Sequence, residues 1–228
     1  MSVFQNFHEP GVWLVISALC GVALLAGWPF TAPRWRAWVV LAYWLLIPYL
    51  TLITGAVSPR LMGLRYLDWS TSFQVGAALI LVLALLVAAT RLLTIVAQPG
   101  RSRIPEPIAG TGAGILAVIG LCGAEEFFWS FLRAALWEIA LFLPQVVAAP
   151  AYWAVWSAAL LALPVAVVVQ PSAPRRLSKI AILIVTSVVF FYTRNFWLCW
   201  FLHATIWLIL APIAYRRPRH DGVKTTGP

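Results

Sequence analysis

The stretch Gly120-Leu-Cys-Gly-Ala-Glu-Glu-Phe-Phe-Trp-Ser-Phe-Leu-Arg133 sets two adjacent glutamates, Glu125 and Glu126, in the middle of an apolar run. Only seven residues of the chain are acidic, and these two fall where a bilayer is expected. A charge at the centre of a membrane helix costs roughly 2.5–3.5 kcal/mol on insertion scales, so such residues face a bundle interior and pair or carry function. Two in succession do not readily share one partner.

The rest of the chain places that run in a membrane. Of 228 residues, 62% are hydrophobic and 10% charged, and the mean hydropathy is +0.90. A soluble domain carries about 25% charged residues, so a single soluble core is excluded. Apolar runs at about 11–30, 37–57, 71–97, 108–145, 151–169, 178–193 and 196–214 approach the ~20 residues that cross a bilayer. Between them stand turn-forming connectors such as Thr31-Ala-Pro-Arg-Trp-Arg36, Gln98-Pro-Gly-Arg-Ser-Arg103 and Gln170-Pro-Ser-Ala-Pro-Arg-Arg176. Trp13, Trp28, Trp35, Trp38 and Trp69 sit near span ends, as an aromatic belt would. Backbone polar groups in lipid must be satisfied within the segment, and no period-2 barrel pattern is present, so the spans are helices.

The expected fold is an all-α, polytopic transmembrane helical bundle of seven or eight spans. The number turns on the run 108–145, which is one tilted or broken helix or two helices with a break near Gly110–Gly123. Residues 1–107 are expected to hold the N-terminal transmembrane helices, 108–215 a transmembrane core, and 216–228 a disordered basic cytoplasmic tail. The N-terminus Met1–Pro10 lacks Lys and Arg and leads straight into an apolar segment, which reads as a signal-anchor span.

Charge sets the expected orientation and partners. The net charge of +9 is concentrated in short connectors and at the C-terminus, which fits membrane topology and anionic lipid. No connector offers a long basic stripe with interleaved aromatics, so nucleic acid is not an expected partner. Arg175, Arg176, Lys179, Arg216, Arg217, Arg219 and Lys224 put the 170–179 connector and the C-terminus in the cytoplasm, with the uncharged Pro144–Pro150 connector outside. The N-terminal half fits either orientation. A bacterial inner membrane is the expected location. Cys20, Cys122 and Cys199 are odd in number, fit neither a zinc site nor a disulfide framework, and read as small apolar residues.

Polar residues inside the spans are few: Arg91, Glu125, Glu126, Arg133, Glu138 and His203. Glu126 and Arg133 are seven residues apart and share a helix face two turns apart, as a structural ion pair requires. Glu125 points about 100° away on the same turn, which leaves it free to take protons as a general base. His203, on a separate helix, completes a candidate catalytic set of Glu125, Glu126 and His203 acting on water. Two Glu and one His are a marginal ligand set, so no metal is assigned and no cofactor is identified. Glu138 is expected to reach an interface and Arg91 to snorkel.

These residues resemble a known family. Gly123-Ala-Glu-Glu-Phe-Phe-Trp129, followed some seventy residues later by Asn195-Phe-Trp-Leu-Cys-Trp-Phe-Leu-His203 and Ala204, is similar to the CPBP intramembrane proteases. These are membrane endopeptidases related to the CAAX prenyl proteases. The resemblance implies a four-helix core in the C-terminal half, with a glutamate pair that activates water and a last-helix histidine that stabilises an oxyanion. By it, Glu125 and Glu126 match the glutamate pair and His203 the histidine. The chain departs from the family at three places. Ser130 stands where the arginine of the first motif is expected, with Arg133 three residues later. The run 151–169 has no histidine, and Trp207 stands where the last motif has asparagine.

Two main readings follow. One is a divergent glutamate-dependent intramembrane endopeptidase that cleaves a protein or peptide tail at the membrane. The other is a catalytically degenerate relative that serves as a structural or assembly subunit among membrane-protein partners. A proton-coupled carrier ranks last, since no paired broken helices or repeat halves occur.

Overall fold

The computed structural model describes residues 8–97, 112–142 and 148–210. Helix α1 (Pro10–Gly27) runs into a short 3-10 turn, Trp28–Phe30. It is followed by α2 (Pro33–Thr54), α3 (Trp69–Ala97), α4 (Gly112–Leu141), α5 (Pro150–Val168), α6 (Ala173–Thr193) and α7 (Phe196–Leu210). No strand occurs among the described residues. Proline opens α1, α2 and α5, where its missing N–H is not needed.

Helices α1 to α6 are each long and apolar enough to cross a membrane. Helix α7 is apolar but has 15 residues, about 22 Å of rise, and ends where the described residues end. Leu81, Val82, Leu85 and Leu86 of α3 are all exposed, as on a helix that faces lipid. The chain is thus a multi-pass membrane protein, helical throughout its regular elements among the described residues.

Of the run expected at 108–145, Gly112–Leu141 is a single unbroken helix, so no break falls within it, while Gly110 lies outside the described residues. Gly123 is a contact point rather than a break. A Cβ on Gly123 would lie 2.9 Å from the Trp200 indole, and that indole donates its N–H to the Ile119 carbonyl at 2.9 Å. Trp13 is also corrected, since it is buried in the interior rather than placed in the belt; Trp35, Trp38 and Trp69 are exposed. Cys20 is exposed, and only Cys122 and Cys199 are buried. The tail 216–228 and residues 144–147 of the uncharged connector lie outside the described residues, as does the side chain of Arg91.

Helix α4 occupies the centre of the bundle. It packs against α1, α2, α5 and α7, while α6 lies against α3, α5 and α7. Phe128, Trp129, Phe131, Leu132, Ala134 and Ala135 are each at most 3% exposed, the mark of a helix buried on all sides. Helix α5 meets its neighbours through Ala154, Ala158, Ala162 and Ala166, all buried and spaced four apart. Small residues at that spacing let membrane helices approach closely.

Helix α7 is fixed at its start. Asn195 Oδ1 accepts from the backbone N–H groups of Trp197 and Leu198 at 3.0 and 3.3 Å, a side-chain N-cap. The Phe196 N–H donates to the Gly63 carbonyl at 3.0 Å. Gly63 has φ +72°, and a Cβ there would stand 2.6 Å from the Arg194 carbonyl oxygen. Gly63→Ala is therefore expected to cost more than the about 1–2 kcal/mol of a left-handed backbone alone. A lowered thermal midpoint of the purified protein would show it, and an unchanged midpoint would contradict the close approach.

Candidate functional site

Glu125 and Glu126 lie near the middle of α4, His203 two turns into α7, and Lys179 six residues into α6. Six residues are about 9 Å of helix and seven about 10 Å, and α6 and α7 start from opposite ends of the bundle, so the site lies between those ends. Glu125, Glu126, Arg133, Lys179 and His203 are all buried, none above 3% exposure.

The carboxylate of Glu126 is held from along its own helix. Arg133 Nη1 donates to Glu126 Oε1 at 2.6 Å. The other terminal nitrogen, Nη2, donates to Thr186 Oγ1 and Ser187 Oγ on α6, each at 3.4 Å. The guanidinium carbon also lies 4.8 Å from the Phe190 ring centroid. A planar fork with five donors suits such multiple partners.

Glu125 is not free, as its direction on the helix had suggested. Lys179 Nζ donates to Glu125 Oε2 at 2.5 Å and lies 3.2 Å from His203 Nε2. The ammonium also faces two indoles, 5.4 Å from the Trp207 centroid and 6.0 Å from that of Trp129. Trp207, which stands where the last motif has asparagine, thus packs against a lysine one turn from His203.

His203 bridges the two glutamates despite their divergent directions, because its ring nitrogens point opposite ways. Nε2 is 3.6 Å from Glu125 Oε2, and Nδ1 is 3.5 Å from Glu126 Oε2. Trp129 stacks on the imidazole with centroids 5.0 Å apart and planes 9° apart, which fixes the ring plane.

One oxygen of each carboxylate thus meets a cation. Glu125 Oε1, Glu126 Oε2, Ser130 Oγ and His203 Nδ1 are buried without a hydrogen-bond partner. Such groups cost about 1–3 kcal/mol each, and in native proteins they mark catalytic roles or bound solvent. The arrangement can offer a lone carboxylate oxygen to a small polar molecule beside a cation and an imidazole. Among the described residues, no three His, Cys, Asp or Glu are arranged to hold a metal ion; Arg133 and Lys179 occupy lone pairs a metal would use.

The structure therefore brings Glu125, Glu126, Arg133 and His203 together and adds Lys179, which sequence reasoning had counted only as a topology signal. Its signal was present. Lys179, Leu183, Thr186 and Phe190 recur at intervals of three and four on one face of α6, and all are buried. Glu138 stands apart and accepts from the Ser58 N–H at 2.7 Å. His8 is exposed. No family model matches the chain, and neither a curated protein nor a solved structure matches it.

Proposed function

We propose that the chain is a divergent member of the CPBP lineage that acts as a glutamate-dependent intramembrane endopeptidase. The observation that carries this reading is the meeting of Glu125, Glu126 and His203, from helices far apart in sequence, with an unpartnered oxygen left on each carboxylate. The order of α4 to α7, with glutamates on the first and the histidine on the last, supports the four-helix core of that family.

The basic residues set the orientation. If all seven helices cross the bilayer, Arg34, Arg36, Arg101, Arg103, Arg175, Arg176 and the basic tail fall on one side, against Arg60, Arg65 and Arg194 on the other. The arginine-rich side is cytoplasmic by the positive-inside rule, and it is the side where α6 begins. The C-terminus is then cytoplasmic, and the substrate is a protein or peptide tail that enters from that face.

In the reaction, Glu125 Oε1 takes a proton from water as the water oxygen bonds to the peptide carbonyl carbon. The carbonyl oxygen becomes an oxyanion beside the Lys179 ammonium, where positive charge is worth most in a site without bulk water. Collapse breaks the C–N bond, and the proton held by Glu125 passes to the departing amine.

A second reading is favoured by one observation. Arg133 and Lys179 match the two carboxylates charge for charge in a buried site, which suits a non-catalytic subunit whose polar cluster ties α4, α6 and α7 together. A cleavage assay on membrane-tethered peptide reporters, with purified wild type and Glu125→Ala in lipid nanodiscs, separates the two. Cleavage by the wild type alone is expected, and equal processing by both would sink the peptidase reading. Absence of cleavage, with stable co-purification of other membrane proteins, would favour the subunit.

A further inference from the structure

We propose that Lys179 is a positioning residue that fixes His203 as the neutral tautomer protonated at Nδ1. Lys179 donates to the Glu125 carboxylate at 2.5 Å as an ammonium, which has three donors and no acceptor. It lies 3.2 Å from His203 Nε2, so that nitrogen must be the acceptor. A neutral imidazole then carries its proton on Nδ1.

The far side of the ring agrees. Nδ1 faces Glu126 Oε2 at 3.5 Å, an oxygen with no other partner, while Arg133 holds the opposite oxygen. The other tautomer would aim an N–H at the ammonium and a lone pair at a carboxylate, repulsive at both ends. A doubly protonated ring would also face the ammonium with an N–H, in a cluster where Arg133 and Lys179 already balance both carboxylates. The result is one directional chain across three helices: Arg133, Glu126, His203, Lys179, Glu125. It leaves Glu125 Oε1 as the carboxylate oxygen open to a substrate water.

This assignment is independent of the peptidase reading, because it is read by spectroscopy whether or not the chain cleaves peptides. Nitrogen-15 spectra of labelled histidine in an H8Q/H220Q background report on His203 alone. The expected wild-type result is a protonated Nδ1, an unprotonated Nε2, and a through-space correlation from Nε2 to the Lys179 ammonium protons. In Lys179→Met the preference for Nδ1–H is expected to be lost. A protonated Nε2 in the wild type, or an unchanged spectrum in Lys179→Met, would overturn the proposal. If Lys179→Met does not fold, the wild-type nitrogen assignment and the lysine correlation decide alone.

Discussion

Arg133→Met is expected to lower folding stability by about 3–5 kcal/mol, the cost of removing one partner of a buried ion pair. Glu126 is wholly buried, and without Arg133 it is left facing the neutral imidazole 3.5 Å away. Thr186 and Ser187 would lose their guanidinium donor at the same time. The double variant E126Q/R133M is expected to recover much of the loss, because it removes the stranded charge along with its partner. Thermal unfolding of the purified proteins in detergent measures both. Arg60→Met, on an exposed connector residue, serves as a comparison and should stay within about 0.5 kcal/mol of wild type. A wild-type midpoint for Arg133→Met would mean that the pair is not made. A double variant no better than the single would mean that Glu126 is not what suffers.

The spans were legible because a bilayer imposes long apolar runs, and Pro and Arg clusters mark their ends. The glutamate pair was legible because charge is rare at that depth, and the seven-residue spacing to Arg133 pointed to its partner. What the sequence concealed is instructive. Lys179 follows Arg175 and Arg176 in a connector-like stretch, so its charge reads as a topology signal; only the helical register with Leu183 and Thr186 turns it inward. The stretch Gly110–Gly123 reads as the place for a break, whereas Gly123 makes room for the Trp200 indole. Trp13 reads as an interface anchor by its place in the chain, yet α1 packs against α4 and turns it inward. Each error has one cause: a residue was assigned by its place in the sequence, and the contacts between helices decided otherwise.

The Lys179–Glu125 contact separates stability from activity, and E125M/K179M is expected to show it. Lys179→Met alone strands a buried carboxylate, and the same cost of about 3–5 kcal/mol applies. Replacing both partners by methionine removes the charges and retains bulk. Such replacements are often neutral or stabilising by about 1–4 kcal/mol, and methionine adapts to irregular space between Trp129 and Trp207. The double variant should therefore unfold at or above the wild-type midpoint. Its cleavage of a tethered peptide reporter should nonetheless fall by about 10²–10⁴-fold, the usual contribution of a general base. A well-folded, inactive variant would show that the chain retains a costly charged pair for chemistry that packing does not require. If wild type and double variant cleave alike, Glu125 is not the base. If both are inactive and both hold the same membrane-protein partners, the cluster is replaceable packing and the non-catalytic subunit is the better account.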